Sequence, residues 1–216
     1  MVTPTIDLRR GLEALYYFDE RYFDNGANEL KDRSGKRNHA TASGGPTIGD
    51  DALRSFDAAS FDGTDDEFDI GDPLSSDAET RAALVNTNIA DQDDDYHFFD
   101  DGTRYLRHNR NSSWEYKAEN EDGTTQQIQK DYGADRWALV VGTYDTLEIS
   151  LIVNGEVIAR QDANWKLPSS NVRIGNGYFG KNFDGEIAFA AKWSRELRQA
   201  EIEYLNRLTG PRRAIA

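Results

Sequence analysis

The sequence predicts an all-β protein, a two-sheet sandwich or jelly roll that ends in one short helix. Short apolar segments recur between turn-forming residues, and several of them alternate at the period of two that half-buried strands show. Asn154-Gly155 lies between two such segments, which is a strong hairpin signal. Helical spacing of apolar residues occurs near the C-terminus, at Ile202, Leu205 and Leu208. Many short strands and one closing helix are typical of a two-sheet sandwich or jelly roll.

The first third of the chain is predicted to contain a strand followed by long surface loops. Apolar side chains occupy every second position early in the chain, at Leu12, Ala14, Tyr16 and Phe18. Successive side chains of a strand point to opposite faces, so these four are expected on one face. Residues 25–51 are rich in Gly, Asn, Asp and Ser, which favours surface loops. A second strand is expected where Phe68 and Ile70 would face the core.

The rest of the chain is predicted to form a meander, a hairpin and the closing helix. Candidate strands begin at Tyr96, Thr103 and Ser113. In the hairpin, one face is expected to carry Leu147, Ile149, Leu151 and Val153. The helix is expected over residues 197–208, with Gly210-Pro211 ending it. A chain of 216 residues can form one all-β domain, so we expect a single domain over residues 1–216.

Three glycines, Gly175, Gly177 and Gly180, have the spacing of a dinucleotide-binding loop. Such a loop opens into a helix whose N-terminal N–H groups bind the phosphates. Here Phe183-Asp-Gly-Glu-Ile-Ala-Phe189 follows, which has the pattern of a strand. The sequence therefore argues against nucleotide binding and predicts a loop between strands.

The chain is strongly acidic, with 39 Asp and Glu against 25 Lys and Arg and a formal charge of −14. This charge argues against a nucleic-acid partner, which would require a basic surface. Arginine outnumbers lysine and the acids are spread along the whole chain, which favours adaptation to high salt over an ordinary acidic surface. The chain has no cysteine, and no apolar segment predicts a signal peptide or membrane insertion.

Several segments together resemble the laminin-G-like domains of the concanavalin A-like lectin and glucanase superfamily. The matching segments, in family order, include Ala14-Leu-Tyr-Tyr-Phe-Asp-Glu20, Lys31-Asp-Arg-Ser-Gly-Lys-Arg-Asn-His-Ala-Thr41, Phe61-Asp-Gly-Thr-Asp-Asp-Glu-Phe-Asp-Ile70, Leu151-Ile-Val-Asn-Gly-Glu-Val157 and Phe183-Asp-Gly-Glu-Ile187. The resemblance implies a jelly-roll sandwich that binds glycans, proteins or calcium at loops on one rim, and it does not imply catalysis. Members often carry an acidic residue after the last of these segments, where this chain has Ala188.

Calcium is a possible cofactor, because Ca²⁺ prefers several oxygen ligands from flexible loops. The best candidates are Asp32, Asp62 and Asp184, each in a glycine-containing turn that the resemblance places near the sandwich edge. The alternative is that these aspartates bond their own backbone and stabilise turns.

Trp165, Tyr178 and Phe179 lie beside predicted turns, where an exposed ring could stack on a sugar. Burial in the core is the alternative. A glycoside hydrolase would need two carboxylates on one strand face, and Asp65, Glu67 and Asp69 have that spacing. We expect these three acids to face water, and we assign no catalytic residue.

These observations favour a non-enzymatic lectin or adhesion module that binds a cell-surface glycan or glycoprotein and other protein subunits. The expected location is extracellular or on a virion surface, as a decoration or host-attachment protein of a virus that infects a halophile, with a cytoplasmic location left open. Two alternatives are a structural assembly subunit without a sugar ligand and a glycoside hydrolase.

Overall fold

Short antiparallel strands make up most of the chain, and one helix follows them. The computed structural model describes residues 6–50, 57–71, 76–87, 95–109, 113–120, 122–131, 137–163, 171–178 and 180–209. The strands are β1 (Leu12–Tyr17), β2 (Phe23–Asp24), β3 (Glu29–Leu30), β4 (Ala40–Ser43), β5 (Thr47–Asp50), β6 (Asp57–Asp62), β7 (Glu67–Gly71), β8 (Glu79–Thr87), β9 (Tyr96–Asp100), β10 (Arg104–Asn109), β11 (Ser113–Glu119), β12 (Thr125–Asp131), β13 (Ala138–Tyr144), β14 (Glu148–Val153), β15 (Glu156–Asp162), β16 (Val172–Ile174), β17 (Asn176–Gly177), β18 (Lys181–Asn182) and β19 (Asp184–Trp193). The helix is α1 (Gln199–Thr209).

The strands form two large sheets, which confirms the predicted sandwich. The eight-stranded sheet has the order β15-β14-β13-β8-β19-β6-β5, and β1 also pairs with β19. The nine-stranded sheet has the order β12-β11-β10-β9-β16-β7-β4-β3-β2. A small hairpin, β17-β18, lies between β16 and β19 in the chain.

The main hydrophobic core lies between the two sheets and is rich in aromatic rings. Phe68 and Ile70 face this core, as predicted. Phe61 makes edge-on contacts with the rings of Phe68 and Phe183, with centroids 6.0 Å and 5.8 Å apart. Edge-to-face pairs of this kind stabilise a core beyond the effect of the buried area alone.

A second apolar cluster covers the outer face of the eight-stranded sheet, where α1 packs. Ile202 and Leu205 are buried in it, but Leu208 is 61% exposed, so that part of the predicted stripe is wrong. Each residue turns a helix by about 100°, so a step of three falls short of a full turn and Leu208 has rotated away from the sheet. No helix in the described part of the chain is long and apolar enough to cross a membrane.

Three other local predictions need correction. Leu12 packs with the outer cluster, apart from Ala14, because a β-bulge between these two residues shifts the alternation. Leu147 is 73% exposed, because its backbone N–H and that of Glu148 bond the Asp145 carboxylate in a turn before β14. Residues 25–51, predicted as loops, contain the short strands β3, β4 and β5.

The Asn154-Gly155 hairpin is confirmed. Asn154 has φ +51° and Gly155 has φ +83°, the left-handed conformation that this turn requires. In β14, which precedes this turn, Ile149, Leu151 and Val153 lie on one face and are buried in the main core.

A group of five buried charged side chains beside the main core is held together by ion pairs, and we call it the ionic cluster. They are at most 1% exposed and comprise Glu79, Arg81, Asp101, Arg104 and Lys192. Arg81 and Arg104 each contact both acids, and the Lys192 ammonium lies 3.2 Å from Glu79. Three cations face two anions, so the cluster carries a formal charge of +1. Charges without water must be paired in this way to be tolerated in a protein interior.

Candidate functional site

The outer face of the nine-stranded sheet is polar where β7 and β16 lie side by side. In β7, Phe68 and Ile70 point into the core, so Glu67 and Asp69 point outward. In β16, Val172 and Ile174 are buried and Arg173 is on the outer face. Regular alternation therefore brings two carboxylates and one guanidinium to a single surface.

The pairing register aligns polar residues into a row across four strands. Thr41 of β4 is opposite Asp69, Asp69 is opposite Arg173, and Arg173 is opposite Asp100 of β9. Neighbouring strands lie about 4.8 Å apart, so the row extends roughly 14 Å across the sheet.

An open groove of about 590 Å³ lies at one side of this row, and we call it the Tyr178 groove. Its lining comprises Thr64, Gly102, Arg173, Asn176, Gly177, Tyr178, Gly180 and Asn182. Asn182 donates its side-chain N–H to the Thr64 carbonyl, which joins the two sides of the groove. The groove thus combines one aromatic ring with amide, hydroxyl and guanidinium groups.

Tyr178 is held in place by three contacts. The Arg173 guanidinium lies over its ring, 4.3 Å from the centroid. The Tyr178 hydroxyl donates to the Asn171 carbonyl at 2.9 Å, and the Tyr178 backbone N–H donates to Asp100 Oδ2 at 3.1 Å. Because the ring face, the hydroxyl and the backbone N–H of Tyr178 are all held by neighbouring groups, this residue presents a fixed surface to a ligand. We call Arg173, Tyr178 and Asn171 the Tyr178 ridge.

A buried polar layer supports this ridge from below. Asp100 is fully buried, and its Oδ2 lies 2.7 Å from His97 Nδ1 while its Oδ1 accepts the Gly102 N–H at 2.6 Å. The His97 ring stacks on Tyr105 with centroids 4.1 Å apart. Gly177 packs directly against His97, because a Cβ atom at position 177 would lie 2.7 Å from His97 Nδ1.

The three spaced glycines belong to the hairpin that carries Tyr178. Gly175 has φ +88°, and a Cβ there would overlap the Phe61 ring. β17 and β18 follow, and then strand β19 in place of a helix. The prediction of a loop between strands is confirmed, and the geometry of a phosphate-binding loop does not occur at these glycines.

A second open groove, of about 460 Å³, adjoins the first, and we call it the Asp69 groove. Its lining comprises His39, Thr41, Ser43, Glu67, Asp69, Ile70, Gly71 and Asn171. Glu67 and Asp69 share the outer face, as their spacing predicted, whereas Asp65 lies in the turn before β7. Both carboxylates are half-buried and act as hydrogen-bond acceptors, Glu67 from Ser43 at 3.1 Å and Asp69 from Asn171 at 3.0 Å. The expectation that all three acids face water is therefore wrong for Glu67 and Asp69 and holds for Asp65, which is exposed.

Among the described residues, one group of acids has ligand atoms close enough to hold a cation. It comprises Asp62, Asp65 and Asp66, whose oxygens lie within 4.8 Å of one another. Burial raises the pKa of Asp66, and the negative charges of Asp62 and Asp65 add to that effect. Carboxylates grouped in a turn are the donor set that Ca²⁺ prefers.

The three aspartates predicted to bind calcium are placed differently. Asp184 is the cross-strand partner of Asp62, so these two are adjacent. Asp32 lies elsewhere, and its oxygens accept hydrogen bonds from Leu15, Ser34 and Asn38. Asp32 therefore resembles the turn-stabilising alternative, and calcium binding stays a prediction for the Asp62 side.

Of the three predicted sugar-contact residues, Tyr178 lines a groove, while Trp165 and Phe179 lie outside the described residues. The sequence prediction missed Arg173, Asn171 and Asp100. Alternation in Val172-Arg-Ile174 could have indicated that Arg173 faces outward. Nothing local could have paired Asp100 with Tyr178, because they are 78 residues apart.

Comparison with known families agrees with this architecture. A laminin G family model of the concanavalin A-like lectin/glucanases superfamily matches residues 62–203. The chain belongs to this family. The match includes Tyr178, Arg173 and the outward carboxylates of β7, and it confirms the resemblance found in the sequence. A comparison with curated protein sequences found no match.

Solved structures similar to this laminin-G-like chain include toxin binding domains and a domain of an arabinanase. The binding domain of Paraclostridial Mosquitocidal Protein 1 is 15% identical with a TM-score of 0.72, covering 93% of this chain and 52% of that chain. Domain 4 of AbnA, an extracellular arabinanase of family GH43 from Geobacillus stearothermophilus, was solved with arabinotriose; it is 16% identical with a TM-score of 0.67, covering 90% of this chain and 98% of that chain.

The ligand-binding domain of botulinum neurotoxin serotype D was solved with N-acetylneuraminic acid and is similar in the same way. It is 14% identical with a TM-score of 0.67, covering 92% of this chain and 51% of that chain. The present chain spans about half the length of the toxin domains that it matches. At these identities, the likeness shows the shared fold.

Proposed function

We propose that this laminin-G-like chain is a non-enzymatic glycan-binding module whose site is the Tyr178 ridge and the groove beside it. The observation that carries the proposal is the fixed Tyr178 ring at the edge of a groove lined by polar side chains. A sugar has an apolar C–H face and a rim of hydroxyl groups. The ring suits the first, and the amide and guanidinium groups suit the second.

The similar structures support the proposal in general terms. Their names describe toxin binding domains and an arabinanase domain in complex with a sugar. The contacts of Glu67 and Asp69 also favour binding over catalysis, because both carboxylates accept hydrogen bonds that hold neighbouring side chains. The absence of catalysis is part of the proposal.

We further propose that the ligand is a cell-surface glycan or glycoprotein and that the module works outside the cell or on a virion surface in high salt. The acidic composition, with a formal charge of −14, supports the high-salt setting. An acidic surface of this density is self-repelling, and added salt screens that repulsion. The melting temperature is therefore expected to rise with KCl up to molar concentration, and a constant melting temperature would remove the support for salt adaptation.

A glycan array probed in molar KCl tests the proposed function. The wild-type chain is expected to retain a defined set of glycans, and Tyr178→Ala should weaken that retention about tenfold, or about 1.4 kcal/mol. Tyr204→Ala is the matched control, because the Tyr204 ring also lies beside an arginine, Arg207, but on α1, away from the proposed site. Retention of no glycan by the wild-type chain would contradict the proposal and favour a structural assembly subunit.

The same glycans serve to test the proposed lack of catalysis. Prolonged incubation with the wild-type chain is expected to leave them uncleaved. Cleavage that is lost in Glu67→Gln would instead establish a glycoside hydrolase.

A further inference from the structure

The Asp69 groove adjoins the proposed glycan site but has a different lining. The Tyr178 groove offers a ring and the Arg173 guanidinium, whereas the Asp69 groove offers two carboxylates, the hydroxyls of Thr41 and Ser43, and His39. Nothing in the proposed function uses this second groove.

The two grooves are joined by direct contacts through the Tyr178 ridge. Arg173 Nη1 of the first groove lies 3.4 Å from Glu67 Oε2 of the second. Asn171 accepts the Tyr178 hydroxyl with its carbonyl and donates its side-chain N–H to Asp69 Oδ2. The ridge is therefore a shared boundary between two parts of one surface.

The length of this surface exceeds what one sugar ring can cover. Thr41, Asp69 and Arg173 are aligned across three strands, roughly 10 Å, while Asp100, the next member of the row, is fully buried beneath Tyr178. The two grooves lie along this row on the same face of the sheet. A ligand that contacts both must be a chain that crosses the strands.

The lining of the second groove also limits the charge of the unit that it can hold. Carboxylates accept hydrogen bonds from hydroxyl groups and repel other carboxylates or sulfates. Glu67 and Asp69 both lie in that groove, so a neutral, hydroxyl-rich unit fits there and an anionic unit does not.

We infer that the two grooves are subsites for a neutral oligosaccharide of at least three units, which lies across the strands and over the Tyr178 ridge. This inference rests on the proposed glycan-binding function and adds the ligand class and the second subsite. The ring of Tyr178 contacts the central unit, and Glu67 and Asp69 accept hydroxyl groups from the unit beyond it.

Calorimetric titration with arabino-, xylo-, manno- and gluco-oligosaccharides of one to five units, in molar KCl, tests the inference. In at least one series, the affinity is expected to rise about tenfold between one and three units and then to level off. Thr41→Trp should remove that rise by filling the Asp69 groove. Thr47→Trp is the matched control, because Thr47 is also an exposed strand threonine but lies on β5 of the other sheet.

The outcomes separate this inference from the proposed function. Binding that is independent of chain length, or a rise that survives Thr41→Trp, would overturn the inference and leave glycan binding intact. The inference would also be overturned if the protein bound glycans on the array but none of the four oligosaccharide series. The ligand would then not be a neutral oligosaccharide of this kind. Failure of both the series and the array would overturn the proposed function as well.

Discussion

Replacing Asp101 with asparagine removes one anion from the buried ionic cluster while keeping the shape of the side chain. Asp101 Oδ1 accepts the backbone N–H groups of Thr103 and Arg104, and Oδ2 contacts the Arg81 guanidinium. An asparagine can keep the contacts of Oδ1, but it presents a neutral amide to Arg81. The formal charge of the cluster would rise from +1 to +2.

The expected loss of stability is large because the site excludes water. Asp101, Arg81 and Arg104 are all fully buried, and removal of one partner from a buried ion pair typically lowers the free energy of unfolding by about 3–5 kcal/mol. For a chain of this size, this corresponds to a fall in melting temperature of roughly 6–20 °C.

Thermal melts of Asp101→Asn and of a matched surface variant, Asp122→Asn, measure this effect. Asp122 is exposed and bonds the N–H and hydroxyl of Thr124 in its own turn, contacts that an asparagine oxygen can also make. The surface variant is expected to have the same melting temperature as the wild-type chain. If Asp101→Asn also had the wild-type melting temperature, the reasoning would be refuted, because the charge of Asp101 would then contribute nothing to stability.

The pH dependence gives this prediction a second readout. Burial alone would raise the pKa of Asp101, but Arg81 and Arg104 outweigh it and hold that pKa below its usual range. A depressed carboxyl pKa stabilises the folded state above the pKa of the unfolded chain, about 3.9, and this stabilisation is lost as the pH falls through the folded value. The difference between wild type and variant should therefore be complete at neutral pH and shrink below about pH 4.

Three further predictions follow from the buried and clustered groups. Lys192 is buried and its ammonium lies 3.2 Å from Glu79, so Lys192→Met should lower the free energy of unfolding by about 3–5 kcal/mol; an unchanged or higher melting temperature would contradict this. Gly177→Ala should displace the Tyr178 hairpin from His97 and weaken glycan binding at least tenfold, whereas Gly49→Ala, which meets no atom within 4 Å, should bind as the wild type does. Calcium added after chelation should raise the melting temperature, and the increase should be larger at pH values above the raised pKa of Asp66. Asp66→Asn should abolish this increase. An unchanged melting temperature in the wild type would rule out the calcium site.

Local patterns in the sequence predicted much of the fold. The Asn154-Gly155 turn is specified by its own two residues, because both must adopt positive φ. The alternation around Phe68 and Ile70 fixes which face of β7 is buried, and therefore also which face carries Glu67 and Asp69. These features could be predicted because each depends on a few consecutive residues.

Other features depend on contacts that no local pattern contains. The alternation of Glu79, Arg81, Ala83 and Val85 places two charges on the core side of β8, which is understandable only once Asp101 and Arg104 are brought opposite them. Leu12 lies on the opposite face from the one predicted, because a single β-bulge separates it from Ala14. Periodicity assumes an unbroken strand and assigns charges to the surface, so it fails at both places.

The candidate site was predicted only in part for the same reason. Tyr178 was identified from its position beside a turn, but the ridge needs Asn171 and Arg173 as well, and its support needs Asp100 from another strand. The two grooves arise from the register of β4, β7 and β16, which long-range pairing sets. Sequence patterns therefore predict which residues face outward, and the pairing decides which of them meet.

Binding of a glycan at the Tyr178 ridge is tested most directly by NMR titration of the ¹⁵N-labelled chain with a glycan that the array identifies. The largest chemical-shift changes are expected at Asn171, Arg173, Tyr178 and Asn182, with smaller changes at Thr41 and Asp69. Changes centred on α1 or on the outer face of the eight-stranded sheet would place the binding site elsewhere and contradict the assignment of the ridge.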